Sequence, residues 1–104
     1  MPSSRRFAVI DYSILFPDGF DDYALEVQSK GWFSDVKLAV FGKQYRISFY
    51  DPVRLSQEIQ DEILRGGVFF EPNVVVVQSI NRQSVESAIQ LLIETERANS
   101  LVPE

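Results

Sequence analysis

The chain has 104 residues, 45% of them hydrophobic and 24% charged, with ten Lys/Arg against fifteen Asp/Glu, no cysteine and no histidine. That length allows one domain, burying roughly two-thirds of the surface its unfolded chain exposes. The two missing residue types exclude disulfides, thiolate nucleophiles, Cys-type zinc sites and iron–sulfur clusters, and they remove the usual general base near neutral pH.

The net charge of −5 is unevenly spread. Residues 1–50 balance six cations (Arg5, Arg6, Lys30, Lys37, Lys43, Arg46) against six acids (Asp11, Asp18, Asp21, Asp22, Glu26, Asp35), so the whole excess lies in residues 51–104. A phosphate backbone is repelled by such a surface, which argues against nucleic-acid binding and makes a basic protein the natural electrostatic complement. No apolar run reaches the length of a membrane span. The segment behind Arg5 and Arg6 is interrupted by Asp11, Tyr12 and Ser13, so it lacks the apolar region of a signal peptide. The expectation is a cytoplasmic protein that does not act at a membrane.

In chain order, residues 6–16 alternate with one clean apolar face (Ala8, Ile10, Tyr12, Ile14, Phe16), the pattern of a strand. Pro17-Asp18-Gly19 supplies turn chemistry. Residues 20–34 fit either a helix stopped by Gly31 or a short strand. Residues 36–41 and 44–50 alternate around Gly42-Lys43, which predicts a hairpin with a type II′ turn. Its apolar face is Val36, Leu38 and Val40 beside Tyr45, Ile47 and Phe49; its polar face includes Lys37, Arg46, Ser48 and Tyr50.

Asp51-Pro52 is a helix start, with Asp able to accept from free backbone N–H groups and Pro suited to the first turn. Leu55, Ile59, Ile63 and Leu64 give a helix over about 52–65, closed by Arg65 and Gly66. Val74 to Val77 reads as a strand buried on both faces and therefore central in its sheet. Asn81 caps a last helix over about 82–97 carrying Val85, Ala88, Ile89, Leu92 and Ile93. Residues 1–5 and 99–104 read as loose tails. The predicted fold is α+β, a single domain in the order β-β-β-α-β-α. Its mostly antiparallel sheet has about four strands, with two helices on one face and a parallel strand–helix–strand unit over 44–78.

The search for chemistry yields little. Asp18, Asp21, Asp22 and Glu26 cluster, but the spacing D-G-F-D-D places Gly too early for a calcium loop. Asp11 is the one acid expected in mid-strand, with no second carboxylate beside it for acid–base work. No serine sits in a G-x-S-x-G elbow, and Gly66-Gly67 follows a helix instead of opening one, so no phosphate cradle forms. The chain therefore reads as non-catalytic, with no cofactor and no metal. What remains are aromatics in connecting segments, either lids over the core edge or anchors of an interface. With the polar sheet face they define the candidate partner-binding set: Trp32, Phe33, Lys37, Arg46, Tyr50, Phe69 and Phe70.

Phe49-Tyr50-Asp51-Pro52-Val53-Arg54-Leu55, then Gln57-Glu58-Ile59, and later Phe69-Phe70-Glu71-Pro72-Asn73-Val74-Val75-Val76, resemble a group of small uncharacterised bacterial proteins. In those, a hairpin runs into an F-Y-D-P-x-R-L helix start and an aromatic turn precedes a valine strand. The resemblance spans about residues 36–93, with Asn81 standing where the group has a Thr cap. By analogy in size and style it implies an immunity-type protein that binds and blocks a bacterial toxin. A homodimeric assembly subunit, paired through an exposed strand or helix face, is the second reading.

Overall fold

The computed structural model describes residues 10–104. It contains β1 (Ser13–Leu15), α1 (Ala24–Lys30), β2 (Trp32–Val40), β3 (Lys43–Tyr50), α2 (Pro52–Gly66), β4 (Val74–Val76) and α3 (Arg82–Glu94). Single 3-10 turns sit at Phe20–Asp22 and Arg97–Ser100. The four strands form one sheet in the order β1-β2-β3-β4, with the first two pairings antiparallel and β3–β4 parallel. The α+β class, the mostly antiparallel four-stranded sheet and the parallel unit joined through a helix are as predicted. The core face, however, is covered by α1 and α3, and α2, expected beside α3, contributes no buried residue to it.

The core lies on one face of the sheet. Val36, Leu38 and Val40 of β2 and Tyr45, Ile47 and Phe49 of β3 are buried there under Val27 of α1 and Val85, Ile89 and Ile93 of α3. Ile80 and Ala98, from the segments flanking α3, complete it. Phe20 is 2% exposed, packed against Phe16, Tyr23 and Phe33 at ring separations of 4.9, 5.7 and 5.2 Å. The aromatic loop around Phe20 is thus a wall of the core. The predicted first strand falls partly on residues 6–9, outside the described residues. Of its apolar face, Ile14 and Phe16 pack against the core while Ile10 and Tyr12 remain exposed.

Residues 20–34, open in the sequence, resolve through Gly31. Its φ of +74° ends α1 in the left-handed conformation, and a side chain there would lie 2.5 Å from the Asp51 carboxylate. Asp51 Oδ1 in turn accepts from Arg54 N at 2.7 Å as the cap of α2. The end of one helix and the start of the next therefore meet at a point only glycine fits.

Four local expectations are corrected. The hairpin turns at Phe41-Gly42, both with positive φ (57° and 70°), which is a type I′ turn in place of type II′ at Gly42-Lys43. Pairing therefore runs Val40↔Lys43, a two-residue shift that keeps every side chain on its predicted face. In α2, Gly66 remains helical and Gly67 takes the left-handed stop, since either of two adjacent glycines can. The last helix stops at Glu94, where Thr95 N and Thr95 Oγ1 both donate to Leu91 O, and this early stop folds Ala98 back into the core. Finally, β4 is an edge strand. The hairpin places β2 on one side of β3, so the chain returning from α2 can pair only on the other.

The valine run is accordingly only half covered, with Val76 45% exposed. The segment expected to be a loose C-terminal tail lies along the part of β3 that three-residue β4 leaves bare. Glu104 N donates to Gln44 O at 2.9 Å, and Asn73 bridges Arg46 O and both backbone polar groups of Val102. Among the described residues no helix is long and apolar enough to cross a membrane.

Candidate interaction site

The polar face of the sheet begins with a conflict. Lys37 and Arg46 are direct cross-strand partners, and two like charges so placed repel. Glu104 resolves it: its Oε1 lies 3.5 Å from Lys37 Nζ and its Oε2 3.5 Å from Arg46 Nε. Arg46 Nη1 also reaches Asp35 Oδ1 at 3.5 Å. Half-exposed pairs of this kind each contribute little to stability, but together they neutralise the cations expected to meet a partner.

Next along the face, Ser48 and Tyr50 are buried. The Tyr50 hydroxyl donates to Glu71 Oε1 at 2.6 Å, which draws the loop after α2 onto this face. Burial, followed by the hydrogen bond to the Glu71 carboxylate and the charges of Glu71 and Glu58, pushes the Tyr50 phenol well above its ordinary range. A groove lined by Ser34, Arg46, Ser48, Glu71, Asn73 and Val102 lies on this side of the sheet. Arg46, Glu71 and Asn73 there are already bonded within the chain. Trp32, opposite Tyr50, is 37% exposed, with the Arg54 guanidinium 5.9 Å from its ring centre.

The predicted set therefore divides. Lys37, Arg46, Tyr50 and Trp32 share the polar sheet face. Phe33 does not: an irregularity in β2 between Phe33 and Val36 turns its ring to the opposite side, into the core. Phe69 is half-buried, whereas Phe70 is 85% exposed in the loop between α2 and β4, with Val68 67% exposed beside it. Asp21 of the acidic turn pairs with Arg82, whose Nη2 is 3.1 Å away and whose guanidinium carbon sits 4.2 Å from the Phe16 ring centre. No three acids come together as a metal site among the described residues.

The amphipathic α2 holds the largest surprise. None of its residues is buried. Leu55 and Ile59 are half-covered, but so are Arg54 and Glu58, because Arg54 binds both Lys30 O (3.2 Å) and Glu58 (3.1 Å) and turns that side inward. Val53, Ile63 and Leu64 are left in solvent. Sequence reading missed this because it assigned Leu64 to the buried stripe. The signal available was the eleven-residue, three-turn interval from Val53 to Leu64. Asn73 and Glu104 were also missed, though Pro72-Asn73 is a turn pair and Asn is, after glycine, among the residues best suited to a φ of +55°. Comparison with protein-family models, with curated proteins and with solved structures finds no match for this chain.

Proposed function

We propose that this chain is a small, non-catalytic, cytoplasmic protein-binding module, and in its most specific version an immunity-type inhibitor that docks on a toxin. The observation that carries the reading is Phe70, 85% exposed together with Val68 in the loop that leads into the edge strand β4. A large aromatic in water is an anchor awaiting a pocket, and an uncovered strand edge accepts an extended segment of a partner through main-chain bonds. The acidic second half of the chain favours a basic partner. The internal pairing of Lys37 and Arg46 moves the expected contact away from the polar sheet face and toward this loop.

The test is affinity capture from source cells with wild type and with Val68→Asp/Phe70→Asp, folding of both being checked by circular dichroism. A specific partner retained by wild type and released by the variant supports the reading; identical capture by both overturns it. Lys37→Ala/Arg46→Ala is expected to retain the partner. A toxin gene beside the locus favours the immunity version, and its absence at every related locus rules that version out. The homodimeric reading draws on a different surface, the outer side of α2.

A further inference from the structure

We propose that α2 pairs with the α2 of a second copy of this chain, antiparallel about a two-fold axis, along a seam of Val53, Gln57, Gln60 and Leu64. These residues recur at intervals of four, three and four, the spacing that sets side chains in one row along a helix–helix contact. All four are exposed, Val53 by 69% and Leu64 by 84%, with exposed Ser56 and Ile63 flanking them. The five charged residues of α2 (Arg54, Glu58, Asp61, Glu62, Arg65) all fall outside this arc. A surface helix ordinarily turns its charges to water and its apolar residues inward; here an uncharged arc with Val53 and Leu64 on it faces water, while Arg54 and Glu58 are half-covered.

Self-complementarity identifies the occupant. Reversing the helix about its midpoint, between Glu58 and Ile59, maps Val53 onto Leu64 and Gln57 onto Gln60. That is what a two-fold contact requires, since residue i must meet j while j meets i. The two central glutamine pairs would exchange side-chain amide hydrogen bonds. Charge agrees as well: two chains of net charge −5 can meet on a face that carries none. Arg54 is bound to Glu58 and Arg65 to Glu62, which leaves Asp61 as the charged residue of α2 without an ion-pair partner among the described residues. The contact covers on the order of 500 Å² per copy, at the low end for interfaces, so the dimer is weak and concentration-dependent. This goes beyond the module reading and does not involve Phe70.

Sedimentation equilibrium up to ~1 mM tests it. Wild type is expected to rise toward twice the monomer mass, while Leu64→Glu, at a site already in water, stays monomeric with an unchanged circular dichroism spectrum. Because the chain has no cysteine, register can be read directly: a mixture of Gln57→Cys and Gln60→Cys chains is expected to cross-link across variants more readily than either alone. A monomer at every concentration overturns the proposal and leaves the seam to a different partner's helix. A dimer untouched by Leu64→Glu overturns it too, moving self-association to another surface such as the β4 edge. Self-linking of each cysteine variant as efficient as cross-linking overturns the antiparallel arrangement.

Discussion

Tyr50 shows how one side chain can be read correctly as to face and wrongly as to role. Alternation alone places it on the polar side of β3, and there it lies. Its burial comes from Glu71, twenty-one residues on, and no local pattern announces a contact at that separation. Phe33, in a stretch the sequence leaves open, has two readings, lid over the core or anchor of an interface, and an irregularity in β2 turns it into the core as a lid. Tyr50→Phe preserves the ring and removes the donor to Glu71, so it is expected to cost about 1–2 kcal/mol near pH 7. The pH dependence has a definite sign. A phenol whose folded pKa is raised gives stability that is fully present below its unfolded pKa near 10. That stability is lost as pH climbs above 10, where the unfolded chain releases the proton first. Urea unfolding from pH 7 to pH 11 should show wild type losing stability more steeply than Tyr50→Phe above pH 10, with the gap between them closing. Parallel curves across that window would separate the hydroxyl from the effect.

At the scale of elements, α2 and α3 were legible because each carries its own start chemistry, and the hairpin because its strands alternate, whereas α1, which opens at Tyr23 with no side-chain cap, was not. Asp51-Pro52 opens α2, and Asn81 opens α3 by accepting from Ser84 N while Ser84 Oγ accepts from Asn81 N. The hairpin's faces follow from alternation, but its turn does not, because the apparent glycine signal at Gly42-Lys43 competes with strand twist. A type I′ turn matches the right-handed twist of the flanking strands and needs positive φ at both central residues. The chain meets that demand with Gly42 and, at some cost, with Phe41 at φ 57°. Phe41 is 44% exposed, so its ring contributes little that a smaller residue would forfeit. Phe41→Asn is therefore expected to stabilise the protein by roughly 0.5–1 kcal/mol, seen as a higher urea midpoint at unchanged slope. A lower midpoint would mean that the Phe41 ring packs usefully despite its strained backbone.

Across the whole molecule, the illegible part is the docking of one end of the chain on its middle. Nothing in Leu101-Val102-Pro103-Glu104 has the period of a strand or helix, and such a segment reads as a tail. In the fold it continues the line that β4 begins. Asn73, at the start of β4, joins the two pieces: its amide bonds Val102 N and O as a neighbouring strand would, and Arg46 O as well. Glu104 adds a backbone bond to Gln44 O and sets its carboxylate between Lys37 and Arg46. Leu101, partly buried, packs on the core. Removing residues 101–104 would leave the β3 carbonyl of Gln44 without its partner, free Asn73 from Val102, and restore the repulsion between Lys37 and Arg46. The loss of a partly buried leucine and several hydrogen bonds is expected to total about 2–3 kcal/mol, a fall of roughly 10 °C or more in Tm for a domain this small. Asn73→Ala in the full chain should reproduce part of that fall, because it unties the same segment without shortening it. Light scattering of the truncated chain should show growth of large species, since an unpaired strand edge templates pairing between molecules. Wild-type Tm and a clean scattering profile in the truncated chain would show that β3 is closed by β4 and Asn73 alone.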